Sequence, residues 1–317
     1  MTVARRNAVL VAGSANLDFV VRATHVPAPG ETVLGRDFST FPGGKGANQA
    51  VACARAGGVA TRMLLGLGQD DAAVALETSL RDAGVALSIV RDAVLPTGTA
   101  FICLSDTAEN AITVAPGANM ALRGEHLPAL DDVGWLLLQL ETPLDSVTAY
   151  ARRARAAGVK VALNAAPAQV LPDALLALLD VLIVNEGELA VVAGPSSDPV
   201  TAMARLQVPC VIVTLGGRGC LARVDGALQV QPAFAVSPVD TTAAGDTFSG
   251  VLVATLAGGG SIADALLRAS AAAALACTRP GAQSSIPDAA AVAALLADTA
   301  QVPDAAAHAA LARTCAL

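Results

Sequence analysis

Lysine is nearly absent from this 317-residue chain: Lys45 and Lys160 stand against eighteen arginines. Aromatic side chains are scarce as well, at 3%, and no basic stretch is interleaved with them. With a formal net charge of −7, the general attraction that nucleic-acid and membrane-surface binders use is excluded. Any contact with phosphate must therefore be local. The six cysteines, Cys53, Cys103, Cys210, Cys220, Cys277 and Cys315, include no CxxC pair. That argues against a disulfide framework and a zinc site, and a reduced, cytoplasmic compartment is expected. No apolar run reaches the roughly 18 residues of a membrane span, so no membrane partner is expected. A GxxxxGK[ST] loop is missing, so no nucleotide can be held by a P-loop. No repeat at solenoid spacing is present.

What the chain has in plenty is alanine and aliphatic residues, with 54% hydrophobic overall. This length allows one large domain or two ordinary ones. The amino end, MTVARRNAVLVAGSANLD, has Arg5 and Arg6 before an apolar run, as a leader would, but AVLVAG is short and Asp18 follows closely. It reads as a buried first strand. Further short runs, WLLLQL, VKVALNA, VLIVNE and CVIVTLG, recur with helical stretches such as SVTAYARRARAAG between them. This alternation predicts an α/β fold with a mostly parallel sheet covered on both faces. Asn16, Asp18, Glu141, Asn164, Asn185 and Thr214 close such runs at the carboxyl edge, where open α/β sheets bind ligands. Residues 16–41 and 96–115 break the alternation and read as short strands of a small β-layer. AGGG at 257–260 reads as a helix connection, and residues 300–317 as a loose tail.

Two segments carry chemistry. In VDTTAAGDTFSGVLVATLAG, residues 239–258, small residues lead into a helix opening near Gly245 with Asp246 in its first turn. Unpaired N–H groups and the helix dipole make that end an anion site. Taken alone, Asp246 is either a base beside a transferring phosphate or a capping carboxylate. The second segment, GGKGANQA at 43–50, places a rare lysine and two amides after paired glycines.

Together, SANLD, GGKGANQA and DTTAAGDTFSG resemble the paired signatures of the ribokinase (PfkB-type) sugar kinase family. PAPGETV, QLETPL, LNAAPA, VNEGE, TLGGRG and TRPGAQSS agree in order, so the likeness spans about residues 8–290. The resemblance implies a single ribokinase-like domain, α/β/α in three layers, with the small β-sheet as a lid. It implies transfer of the ATP γ-phosphoryl group to a primary hydroxyl, first of all O5 of D-ribose. Open alternatives are 2-deoxyribose, another pentose, a nucleoside, or a sugar-binding protein without turnover.

Residue by residue, the resemblance assigns the sugar hydroxyls to Asn16, Asp18, Lys45, Asn48 and Glu141, with Gly43 and Gly44 admitting a close backbone. Carboxylates accept from hydroxyls while amides and ammonium donate, a mix that a polyol requires. Asp246 becomes the general base, and the backbone of Ala243, Ala244, Gly245 and Asp246 the anion hole. Asn185 and Glu188 face the phosphates and Mg²⁺, while Thr214, Gly216, Gly217 and Gly219 line the ATP site. Ser270 falls where the family places a larger side chain against adenine. A monovalent cation, K⁺, is implied at Asp240, Thr242, Ala276, Arg279, Gly281 and Ser285, and a homodimer through the lid strands.

Overall fold

In the computed structural model, which describes residues 6–106 and 110–315, the chain builds two sheets. The strands are β1 (Ala8–Ala12), β2 (Asn16–Ala23), β3 (Asp37–Gly43), β4 (Thr61–Leu67), β5 (Ala86–Arg91), β6 (Gly98–Ser105), β7 (Asn110–Ala115), β8 (Val133–Leu138), β9 (Lys160–Asn164), β10 (Val181–Asn185), β11 (Cys210–Thr214), β12 (Gly219–Val224) and β13 (Ala227–Pro232). The helices are α1 (Lys45–Val51), α2 (Asp71–Asp82), α3 (Leu144–Ala156), α4 (Asp173–Leu176), α5 (Glu186–Ala193), α6 (Pro199–Ala204), α7 (Ala244–Ala257), α8 (Ile262–Ala276), α9 (Ala289–Ala297) and α10 (Ala305–Thr314).

The large sheet has nine strands in the order β13-β12-β11-β10-β9-β8-β1-β4-β5. From β11 to β5 all neighbours run parallel, and β12 and β13 add an antiparallel hairpin at one edge. Strand β1 shows why such strands read as unbroken apolar runs: all five residues are buried. Its Val9 and Val11 face one core with α1, α2, α7, α8 and α9, and Leu10 and Ala12 face another with α3, α5, α6 and α10. Helices on both faces give the three-layer α/β/α architecture expected from the alternation.

The small sheet has the order β3-β2-β6-β7. Strand β3 runs two residues past the expected limit of 41, because Pro42 and Gly43 still pair with Leu17 and Asn16. Residues 107–109, inside the expected 96–115 stretch, lie outside the described residues, as do Arg5 and residues 316–317.

The segment from 300 corrects the expectation of a loose tail. Asp304 accepts a hydrogen bond from the Ala307 N–H at 2.8 Å and caps α10. Helix α10 then buries Leu311 and, just beyond its end, Cys315 in the second core. Alanine-rich sequence hides such a helix, because its apolar face rests on very few large side chains. Among the described residues the six cysteines are free, and no helix is long and apolar enough to cross a membrane.

Candidate active site

The site gathers where β1, β8 and β10 of the large sheet end beside the small sheet. Strand β2 begins at Asn16, directly beyond β1, and brings Asn16 and Asp18 in on one face by its two-residue period. Asn16 pairs with Gly43 at the end of β3. Gly44 then turns the chain into α1 at φ 89°, with so little room that a Cβ there would lie 2.7 Å from the Asn16 nitrogen. Only glycine meets both demands. At Gly43 an added Cβ would run into the Asp18 carboxylate.

Helical spacing from Gly44 puts Lys45, Asn48 and Gln49 on one side of α1. Asn48 donates from Nδ2 to Asp246 Oδ2 at 3.0 Å, and Gln49 from Nε2 to Asp246 Oδ1 at 2.9 Å. Glu141, three residues past β8, receives the Ser14 hydroxyl at 2.5 Å and the Lys45 backbone N–H at 3.1 Å, both on Oε2. The structure thus brings together Asn16, Asp18, Gly43, Gly44, Lys45, Asn48, Glu141 and Asp246.

Charge is concentrated here. Burial, then Glu141 and Asp246, push the Asp18 carboxyl up to about 7. The same acids act oppositely on Lys45: Asp246 first, then Glu141 and Glu188, hold its proton above the usual lysine range against the effect of burial. Burial also raises Glu188, outweighing the Asn185 N–H that it accepts and the nearby Lys45. An apolar ligand would leave four acids and one ammonium crowded together. A polyhydroxy ligand supplies the donors and acceptors they lack.

Asp246 is 8% exposed and lies in the first turn of α7. Ala243, at φ 59°, is the N-cap and offers no side-chain cap. The N–H groups of Gly245 and Asp246 therefore have no intrahelical acceptor and open toward the cleft with the positive end of the helix dipole. Such an end is suited to phosphate.

Asn185 and Glu188 form a reciprocal capping box on α5, each side chain accepting from the other's N–H at 2.8 Å. That gives Asn185 Oδ1 a structural duty that the sequence does not reveal. Thr214 pairs with Asn185 across β10 and β11, and Gly216 and Gly217 form the turn leading to Gly219. Ser270 is buried on α8 beside the thiol of Cys220, a residue opposite Thr214 in the β11–β12 ladder. Asp240 accepts from the N–H groups of Thr242 and Gly281, both at 2.9 Å, and so ties two loops together. Near it, the Ala276 carbonyl receives the Arg279 N–H at 3.3 Å. The Arg279 side chain is exposed, and the Ser285 hydroxyl is spent on the Ala282 carbonyl at 2.8 Å.

Sequence reasoning gave no role to four buried amide or hydroxyl groups around this centre. Ser14 supports Glu141. Asn119, beyond the small sheet, donates to Asn16 Oδ1 at 2.8 Å, which leaves the Asn16 amide to donate toward the cleft. Gln49 and Gln139 stand behind Asp246. The i, i+4 relation of Gln49 to Lys45 was a usable signal, whereas Asn119 sits in a short turn with none.

The two-sheet fold and its acid-lined polar cleft define the carbohydrate-kinase class. The model of the pfkB family carbohydrate kinases matches residues 6–289, and the chain belongs to that family. A ribokinase of Haemophilus influenzae is 38% identical over 296 residues, covering 89% of this chain and 96% of its own. The crystal structure of a ribokinase from Thermotoga maritima superposes with a TM-score of 0.86 at 37% identity, covering 92% of this chain and 99% of that one. Ribokinase from Arabidopsis thaliana, solved in complex with ribose and ATP, gives 0.83 at 34% identity, with coverage of 91% and 98%.

Proposed function

We propose that the protein phosphorylates D-ribose at O5 with ATP. The observation that carries this reading is the buried Asp246 carboxylate, set beside two free helix N–H groups and opposite the Asn16, Asp18, Lys45 and Glu141 side chains. Its chemical support is the resemblance in sequence and structure to ribokinases over nearly the whole chain.

In this reading the sugar is oriented by Asn16, Asp18, Lys45, Asn48 and Glu141. The O5 oxygen attacks the γ-phosphorus, the bond to the β–γ bridging oxygen breaks, and ADP leaves. The hydroxyl proton passes to Asp246. Charge on the transferring group is met by the N–H groups at the start of α7, from Ala243 to Asp246. Thr214, Gly216, Gly217 and Gly219 receive the nucleotide, and Ser270 lies on its adenine side.

Mg²⁺ held on the nucleotide would neutralise its β and γ phosphates. Glu188 suits its hydration shell, since burial leaves that carboxylate short of positive charge. A monovalent cation would be held by Asp240 and backbone carbonyls in the segments Asp240–Thr242 and Ala276–Ser285, where it would add positive charge beside the anion site. The tethering of both segments by Asp240 supports this.

The small sheet acts as a lid that keeps water from competing with the sugar. Its outer face carries Phe19 stacked on Phe101 at 5.3 Å and on Phe38 at 6.1 Å, with Phe38 and Phe101 exposed. An exposed aromatic face of this kind supports pairing with a second copy of the chain. The free cysteines fit a reduced cytoplasm.

The test is ATP-dependent phosphorylation of D-ribose, 2-deoxyribose, fructose, fructose 6-phosphate, adenosine and pseudouridine, with and without K⁺. Ribose should give the highest kcat/KM. Preference for another acceptor overturns the sugar assignment, and no turnover on any overturns the kinase reading.

A further inference from the structure

We propose that Gln49 is the positioning residue that holds the Asp246 carboxylate in its working orientation, an inference that rests on Asp246 being the base. Gln49 is fully buried and all its amide groups are committed. One Nε2 hydrogen goes to Asp246 Oδ1 at 2.9 Å, and the other to Asn164 Oδ1 at 3.0 Å. Its Oε1 accepts from Gln139 Nε2 at 2.6 Å.

The direction of this chain of bonds is set from outside. Asn164 donates from Nδ2 to the Ile183 carbonyl at 3.2 Å, so its oxygen must face Gln49. With its nitrogen committed to Asn164 and Asp246, the Gln49 oxygen faces Gln139 and accepts that residue's amide N–H, while the Gln139 Oε1 has no partner among the described residues. Gln49 can then offer Asp246 only a donor. The last residue of β9, a residue just beyond β8 and a carbonyl of β10 thus fix a side chain of α1, which fixes a carboxylate on α7. The backbone is fixed too: a Cβ at Gly250 of α7 would lie 2.6 Å from both the Gln49 carbonyl oxygen and the Ala52 Cβ, so the two helices touch.

With Asn48 on Oδ2 and Gln49 on Oδ1, the plane of the carboxylate is determined by two donors. Free rotation about its bond to Cβ would carry the accepting lone pair away from the sugar hydroxyl, at a cost in rate and not in sugar binding. The charged and titratable groups that act on Asp246 are Lys45 from α1, Asp18 from β2 and Glu188 from α5, and Glu141 after β8 acts in turn on Asp18 and Lys45.

The experiment compares wild type, Gln49→Met, Gln49→Glu, Gln139→Met and Asp246→Asn, each checked for folding by thermal denaturation, with kcat, sugar KM and the pH profile of kcat measured on the acceptor found active. Gln49→Met should lower kcat about tenfold or more and leave KM within about threefold. Gln49→Glu replaces a donor with a second carboxylate, so its acidic limb should move to higher pH by about one unit or more. Gln139→Met, which frees the Gln49 amide to turn, should give a smaller loss of kcat with the same unchanged KM. It serves as the test if the Gln49 variants do not fold. Folded variants with wild-type kcat and an unmoved acidic limb overturn the proposal, as does a purely KM effect. Turnover retained in Asp246→Asn would instead overturn the base assignment itself.

Discussion

Asn48 Nδ2 and Asp246 Oδ2 are hydrogen-bonded at 3.0 Å although 198 positions separate them in the chain. The first signature segment and the last are thus one object, joined by a buried bond between a neutral donor and a carboxylate. Helix α1 and the helix that carries Asp246 therefore cannot be moved independently.

Asp18 should make the empty site costly at neutral and alkaline pH. Its carboxyl is raised to about 7, so the folded state holds a proton that the unfolded chain has released. Stability therefore falls as pH rises from the ordinary carboxylate range to about 7, and the full penalty, at most about 4 kcal/mol, is present above it. Asp18→Asn should raise the Tm of the sugar-free protein at pH 8 and lose that advantage near pH 4.5. An equal gain at both pH values would contradict this account. The same variant should bind sugar more weakly.

Gly44→Ala tests the turn into α1. The φ of 89° and the approach to Asn16 together predict a loss of about 1–3 kcal/mol. Displacement of Asn16 should weaken sugar binding, so chemical denaturation and a sugar titration should both respond.

Helix α10 is predicted to carry stability despite its plain composition. Leu311→Ala should cost about 2 kcal/mol in urea denaturation, and ending the chain after residue 303 should cost more, since it uncovers β13. Unchanged stability would return this segment to the status of a tail.

Phe38 and Phe101, exposed on either side of the half-buried Phe19, form the face proposed for pairing, so Phe101→Glu, at a site 54% exposed, should convert the proposed dimer to a folded monomer. Light scattering during size-exclusion chromatography reads this directly.

Strands β1 and β8–β11 are legible in the sequence because helices cover both their faces, which demands unbroken aliphatic runs. Strand β5 escapes notice for the opposite reason, since ALSIVR lies at the sheet edge, half exposed. Strand β4 is buried on both faces, but its apolar run is short and follows Arg62, which pairs outward to Asp132 at 2.6 Å. The Lys45 side of the site is legible through the glycines and rare lysine of GGKGANQA. Its supports are not, because Ser14, Asn119 and Gln139 act on Glu141, Asn16 and Gln49 from distant segments and carry no spacing of their own. Helix α10 is hidden by alanine, which forms helices well but leaves little hydrophobic period.

The most direct measurement is made on Asp246→Asn: ribose affinity by calorimetry alongside the rate of ATP-dependent phosphorylation. The amide keeps the size of the side chain and removes its ability to take a proton. Ribose should bind within a few-fold of wild type while kcat falls by about 10²-fold or more. Turnover near the wild-type rate would contradict the role of Asp246 and the account of the site built around it.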